Sequence, residues 1–192
     1  AQKHDLIIIE DACHALGTIT HQNDQKDVIG SCTHSHMAAF SFHPVKTIVM
    51  GEGGAVMTND PALAERLHLF RNHGMTRDSK KFLNTDMALN HNGETNSWFY
   101  EMHSPAYNYR ASEIHCALGL SQLGKLDKVV AARQDLVKQY DQALIDLAPI
   151  LNPLSRAVDN DPAWHLYIVL IDFEKLKIDR TTLTTLLREK GI

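Results

Sequence analysis

Residues 38–54 read AAFSFHPVKTIVMGEGG. An apolar run carries a hydroxyl at Ser41, turns through Pro44, presents an amine at Lys46 and closes on Gly51, Gly53 and Gly54. An ammonium placed directly after a buried strand is costly to desolvate. Burial lowers the pKa of a lysine and makes its amine nucleophilic. The position therefore predicts a Schiff-base lysine at Lys46. An arbitrary lysine in a loop snorkels to solvent instead, so the reading needs support from the rest of the chain.

Upstream, DLIIIE at 5–10 predicts a short strand of a parallel sheet, buried on both faces. It runs into DACHALGT, which places Asp11 at the C-terminal edge of that strand, where open α/β sheets bind ligands. His14 follows three positions later, so one turn can aim both side chains at a common ligand. Lys46 lies 35 positions beyond Asp11 (46 − 11), long enough for a crossover back to the same sheet edge. Residues 19–36 read as an irregular polar loop with one short strand. MAAFSF (37–42) predicts a second buried strand and AVMTN (55–59) a third.

Downstream, Asp60 suits an N-cap and Pro61 a first helical position, with Leu63, Leu67 and Phe70 as the apolar stripe and a stop near Gly74. Residues 75–106 form a long polar connection around Trp98, Phe99 and Tyr100, and connections of that length are usually functional. A helical region is expected over 111–147, broken near Gly124. Pro149, Pro153 and the NDP turn at 160–162 mark a boundary, dividing the chain into 1–148 and 149–192. WHLYIVLI (164–171) predicts a strand. A helix over 180–190 follows, with Asp179 as its N-cap and Gly191 as its stop. The opening in mid-sheet and the single strand and helix after the boundary predict a piece of a larger protein, or one that packs on partners.

Composition is that of a globular protein: 192 residues, 44% hydrophobic and 22% charged. A net charge of −4 gives no reason to expect nucleic acid or an anionic membrane as partner. No apolar run reaches the ~18 residues that span a bilayer. Three unpaired cysteines, Cys13, Cys32 and Cys116, fit a reducing cytoplasm better than a disulfide framework.

Asp11, His14, Ser41 and Lys46 together are what a pyridoxal phosphate site requires: an amine for the aldehyde, an acid for the pyridine nitrogen, and a hydroxyl for the phosphate. Each residue alone has a bland reading: a helix cap for Asp11, a satisfied interior ring for His14, a strand hydroxyl for Ser41. The glycines mainly make a turn, because GEGG lacks the trailing lysine and hydroxyl of a P-loop. The order of the four is more specific than any one of them.

EDACHALG, FSFHPVK, GEGGAVMTND, RNHGMTRD and YNYRASEIHCALGLSQLGKLD together resemble the DegT/DnrJ-type aminotransferases of nucleotide-sugar biosynthesis. The resemblance runs from residue 5 to the end. Within that family the chain looks most like the branch that makes a 4-amino-4,6-dideoxy sugar for pseudaminic acid. It implies an α/β fold, the PLP-dependent transferase fold type I, with a truncated piece of the large domain over 1–148 and the start of the small domain over 149–192. It implies pyridoxal 5'-phosphate as cofactor, L-glutamate and a UDP-4-keto-6-deoxy sugar as substrates, and a homodimer with shared active sites. Residue by residue, it makes Lys46 the cofactor-linked lysine and proton shuttle, and Asp11 the partner of the pyridinium nitrogen. His14 stands near the ring and its phenolic oxygen, and Ser41 is a phosphate ligand. Asn108 in YNYR reaches the phosphate in the neighbouring subunit. His115 stands where the family carries Gln or an apolar residue.

Three other readings compete. His34 and His36 with His43 and Asp11 could ligate zinc in a hydrolase. A truncated, non-catalytic member of the same fold could serve as an interaction module. Relatives that dehydrate sugars put a histidine in place of the lysine, and Lys46 speaks against that chemistry.

Overall fold

The computed structural model describes the chain except residues 23 and 24. In chain order it runs β1 (Ile9–Asp11), β2 (Ile19–Gln22), β3 (Gln25–Val28), β4 (Met37–Ser41), β5 (Gly54–Met57) and α1 (Pro61–Arg71). There follow β6 (Met75–Thr76), α2 (Thr85–Ala88), β7 (Glu101–Met102), α3 (Glu113–Leu123) and α4 (Leu126–Leu144). The last part holds β8 (Leu151–Pro153), β9 (Asn160–Asp161), β10 (Val169–Ile171), α5 (Phe173–Leu176) and α6 (Arg180–Glu189).

The sheet that positions the site has the order β1-β4-β5. β1 runs parallel to β4 with Asp11 opposite Ala39, and β5 returns antiparallel with Gly54 opposite Ser41. The carboxyl ends of β1 and β4 therefore share one edge, as the parallel reading requires. β4 buries alternate residues, Ala38 and Phe40, against Ala12 and Cys32, and Ala15, Leu16, Ile29 and Phe42 pack around them. That alternation marks a strand covered on one face.

The N-terminal run departs from expectation. Only its last two residues, Ile9 and Glu10, are strand, with Asp11 added beyond the run, and Leu6, Ile7 and Ile9 stay 58%, 61% and 61% exposed. β1 is an edge strand paired only to β4, and among the described residues nothing lies over its outer face. Residues 19–36, read as loop, begin as an antiparallel hairpin of β2 and β3, and β9 adds a third strand alongside β2. The expected strand at 164–171 shrinks to β10, because Trp164 and His165 give their carbonyls to Arg133 instead of to a ladder.

Helix ends follow the local signals. Asp60 accepts from the backbone N–H groups of Ala62 and Leu63, and Pro61 opens α1. Asp179 accepts from Thr182 N at the start of α6, and Gly191 follows its end with φ +85. The long helical region breaks at Gly124 into α3 and α4, with Ser112 capping the first. Past α1, Gly74 has φ +69, donates to Leu69 O at 2.8 Å and accepts from His103 N at 2.9 Å. A Cβ there would collide with the carbonyl oxygen of Ser104. Gly74→Ala should therefore destabilise the fold by about 3 kcal/mol, read as a lower urea midpoint at unchanged slope.

One ionic cluster ties α4 to the segment after residue 148. Arg156 donates to the two carboxylate oxygens of Asp141 at 2.6 and 2.7 Å, and Tyr167 Oη donates to Asp141 Oδ1 at 2.7 Å. The guanidinium lies 4.6 Å over the Trp164 ring. The Arg156 hydrogen bonds, then the Tyr167 hydroxyl, hold the Asp141 carboxyl below the usual range. A depressed carboxylate pKa contributes stability that is complete above the unfolded value and is lost as pH falls through the folded one. Asp141 and Arg156 are each 35% exposed, so screening keeps the contribution to about 1 kcal/mol. Asp141→Asn should lower the neutral-pH stability by that amount and flatten the acid limb of the unfolding profile below the ordinary carboxylate range.

Candidate active site

Asp11 stands at the last position of β1, and Ser41 at the last position of β4. The chain then leaves the sheet, and the HPVK turn closes with Lys46 N donating to His43 O at 2.9 Å. The loop returns through Met50 N to Phe42 O at 3.0 Å and Phe42 N to Gly53 O at 2.9 Å. Lys46 is thereby held above the edge that carries Asp11. It is half-buried, less enclosed than the sequence suggested, because the loop turns Ile48 and Met50 inward, with α3 close against Met50 and Gly51, and leaves Lys46 partly outside.

The charges at this edge are organised. Asp11 Oδ1 accepts from Cys13 N at 3.2 Å. The Cys13 thiol and then its backbone N–H are the main causes that hold the Asp11 carboxyl below its ordinary value, and His14 and Lys46 add their positive charge. Asp11 in turn pushes the Cys13 thiol up. Lys46 thus lies within electrostatic reach of Asp11, yet it forms no ion pair among the described residues. The amine and the carboxylate are near enough to feel each other's charge without closing on each other. Among the described residues Ser41 Oγ is engaged only by His43 N at 3.5 Å, at the limit of a hydrogen bond, which leaves its hydroxyl able to take another partner.

The structure brings Asp11, His14 and Lys46 together, with Ser41 on the same sheet edge. It adds two residues that sequence reasoning missed, Cys13 and His165. The His165 ring lies 4.3 Å from that of His14. Burial first, then the charges of His14, Lys46 and Arg133, lower its pKa. Its Nδ1 is buried with no hydrogen-bond partner among the described residues.

Asn108 is not part of this cluster. It is exposed, bridged to Asn72, and its Oδ1 accepts from Arg110 Nε at 3.5 Å. Tyr107 and Tyr109 on either side stack at 4.8 Å and 7°, and both rings face outward.

The zinc reading loses its ligands. His36 Nδ1 accepts from Ile8 N at 3.0 Å, His34 lies 4.0 Å from Asp27, and His43 lies 3.8 Å from Glu52. Among the described residues no three His, Cys, Asp or Glu side chains converge as a metal would require. No helix there is long and apolar enough to cross a membrane. A cleft of about 650 Å³ is lined by Asp127, Asp141, Arg156 and Trp164 and reaches Gly17 on the turn that carries His14, and another of about 560 Å³ is lined by Ala39, Phe40 and Gly54 on β4 and β5.

The donor set fits pyridoxal phosphate. It offers an ionised carboxylate for a protonated ring nitrogen, an unpaired amine for an aldehyde, a spare hydroxyl for the phosphate, and an orphaned buried imidazole nitrogen nearby. A mixed sheet presenting these groups at the carboxyl ends of its parallel strands defines the class of α/β enzymes that hold a cofactor at a strand edge. The chain belongs to the DegT/DnrJ/EryC1/StrS aminotransferase family, whose model matches residues 1–192. It is 33% identical over 190 residues to the spore coat polysaccharide biosynthesis protein SpsC of Bacillus subtilis strain 168, covering 99% of this chain and 45% of that protein. Its fold superimposes with a TM-score of 0.77 on Helicobacter pylori PseC, an aminotransferase involved in the biosynthesis of pseudoaminic acid. That match is 32% identical and covers 98% of this chain and 44% of PseC. The PLP-form of the putative sugar aminotransferase Spr1654 from Streptococcus pneumoniae gives a TM-score of 0.75 at 26% identity, with 100% of this chain and 44% of that one covered. The fold is therefore that of the PLP-dependent transferases of type I, and the chain spans less than half the length of these relatives.

Proposed function

We propose that the whole protein is a PLP-dependent sugar aminotransferase of nucleotide-sugar biosynthesis, acting in the cytoplasm. It moves the amino group of L-glutamate to the C4 keto carbon of a UDP-linked 4-keto-6-deoxy-N-acetylamino sugar. The observation that carries this is the unclosed pair of Asp11 and Lys46 at one sheet edge, beside the free hydroxyl of Ser41. The similarity to PseC supports the choice of sugar class. That Spr1654 occurs in both a PLP-form and a PMP-form fits a reaction in two halves.

When bound, pyridoxal phosphate supplies an aldehyde that condenses with amines and a protonated ring that accepts the electron pair left by a departing proton. Lys46 would hold it through Nζ. When not so engaged, Nζ would act as the acid–base group, taking the proton from the donor's α-carbon and passing it to the bound group in the first half, and delivering a proton to the sugar carbon in the second. Asp11, kept ionised by Cys13 and the neighbouring cations, accepts the ring-nitrogen hydrogen bond and keeps that proton in place. Ser41 Oγ donates to the phosphate. His14 stands at the ring's oxygen side.

Residues 1–148 form the C-terminal part of the large domain in this reading, and 149–192 begin the small one. The working unit is a homodimer. Asn108, presented between two outward-facing tyrosines, reaches the cofactor phosphate of the partner subunit. The experiment is an absorption spectrum of the protein with pyridoxal phosphate, before and after glutamate. A band that shifts to the pyridoxamine form supports the transaminase; a spectrum unmoved by any amino donor overturns it.

A further inference from the structure

His165 has no part in the proposed chemistry, yet the fold sets its ring against that of His14. Three contacts that do not involve the His165 ring deliver it. Arg133 on α4 donates through Nη1 to the carbonyls of Trp164 at 3.0 Å and His165 at 2.9 Å. Ala163 N donates to Thr18 Oγ1 at 3.0 Å. Gly17 has φ +88, a conformation that favours glycine, and it lies close to both α4 and this segment: a Cβ there would be a tight 3.2 Å from Val130 and in ordinary contact, 3.5 Å, with Ala163. The backbone at 163–165 is thus fixed from two sides, one of them the turn that carries His14.

The ring that results is tilted 58° against His14, with its centroid 4.3 Å away. His14 is exposed and, among the described residues, is held by no side-chain hydrogen bond. Among the described residues its one aromatic ring contact is with His165. The groups whose charge faces His165 are His14 on the turn after β1, Lys46 on the turn after β4 and Arg133 on α4. A further positive charge among these three would be repelled, so the site favours a neutral ring there.

We propose that His165 is a positioning residue: a ring, brought in from beyond the residue-148 boundary, that fixes the orientation of the His14 imidazole beside Asp11 and Lys46. The segment after the boundary then completes a site whose other members all precede it. The inference rests on the aminotransferase reading for its purpose, but its geometry can be tested without cofactor.

The first test is imidazole NMR on the cofactor-free protein. His14 signals in the wild type should carry the ring-current shift of a fixed neighbour. His165→Ala should move them to the averaged position of a free side chain, and His165→Phe, which keeps a neutral ring, should restore a fixed one. His14→Gln should raise the pH midpoint of His165, since one facing charge is gone. The second test is the pH midpoint of the cofactor absorbance in the loaded protein. It should move by about half a unit or more in His165→Ala, roughly a threefold change in the equilibrium, and return in His165→Phe. A merely structural role would lower stability and leave that midpoint in place. Identical His14 signals in the wild type and His165→Ala would overturn the proposal. If His165→Ala fails to fold, an unmoved His165 midpoint in His14→Gln would overturn it as well. A wild type that binds no pyridoxal phosphate would defeat the aminotransferase reading alone, because the cofactor-free NMR result would still stand or fall by itself.

Discussion

Lys46→Ala should leave the fold intact and remove both the covalent hold on the cofactor and the proton shuttle. Lys46 is half-buried, makes no ion pair among the described residues, and sits on a turn closed by its backbone N–H and not by its side chain. Cutting the side chain back to a methyl group therefore costs little packing. Stability should change by less than about 1 kcal/mol, the scale of an exposed or half-exposed side chain without partners. Turnover should fall by roughly 10³-fold or more, since a positioned acid–base group alone supplies about 10²–10⁴ and the covalent anchor is lost with it. The decisive measurement is borohydride reduction of the loaded protein followed by intact mass. The wild type should gain one reduced cofactor and Lys46→Ala none. A variant that still traps the cofactor would move the anchor to another amine and cancel the role assigned to Lys46. Lys46→Arg should fail in the same way, because a guanidinium stays protonated and cannot attack an aldehyde.

What the sequence disclosed and what it hid follow from the range of the forces involved. Caps are local: Asp60 and Asp179 find their acceptor geometry within three residues, so both helix starts could be read directly. The break at Gly124 is equally local. The pairing of β1 with β4 was legible because an acid and a lysine at successive strand ends need a shared edge to make chemical sense. The isoleucines at 7–9 misled, because an apolar run records affinity for a covering layer without saying which neighbours supply it. The hairpin at β2 and β3 was hidden by polar residues on a mostly exposed ribbon, where alternation carries no burial signal. His165 was the most distant loss. Its only local cue is a histidine between Trp164 and Leu166, and its partner lies on a turn near the other end of the chain. The Arg133 contacts that deliver it go to backbone carbonyls, which no side-chain pattern encodes.

Asp11 should matter nearly as much as Lys46, for a different reason. Its carboxylate touches no proton that is transferred in the proposed chemistry. Its work is to keep a proton on the cofactor's ring nitrogen, and without that proton the ring cannot take up an electron pair. Asp11→Asn preserves size and one acceptor oxygen but removes the charge. Turnover should fall by roughly 10²–10³-fold, the loss that follows removal of one preorganised electrostatic contact from a reacting site. Cofactor affinity should fall by about one to two orders of magnitude, since a charge-assisted hydrogen bond is replaced by a neutral one. Asp11→Glu should recover part of the charge and little of the geometry, because the extra methylene displaces the oxygens from the position set by Cys13 N. The pH profile separates charge from shape. The contacts from Cys13, with His14 and Lys46 behind them, hold the Asp11 carboxyl below its ordinary value. The wild-type acid limb due to Asp11 should therefore lie below the usual carboxylate range, with activity kept above it and lost as pH falls through it. Cys13→Ala removes the first of those contacts and should shift that limb upward, toward the ordinary carboxylate pKa. A limb that stays where it was in Cys13→Ala, or an Asp11→Asn enzyme with wild-type turnover, would show that some other carboxylate answers the ring nitrogen.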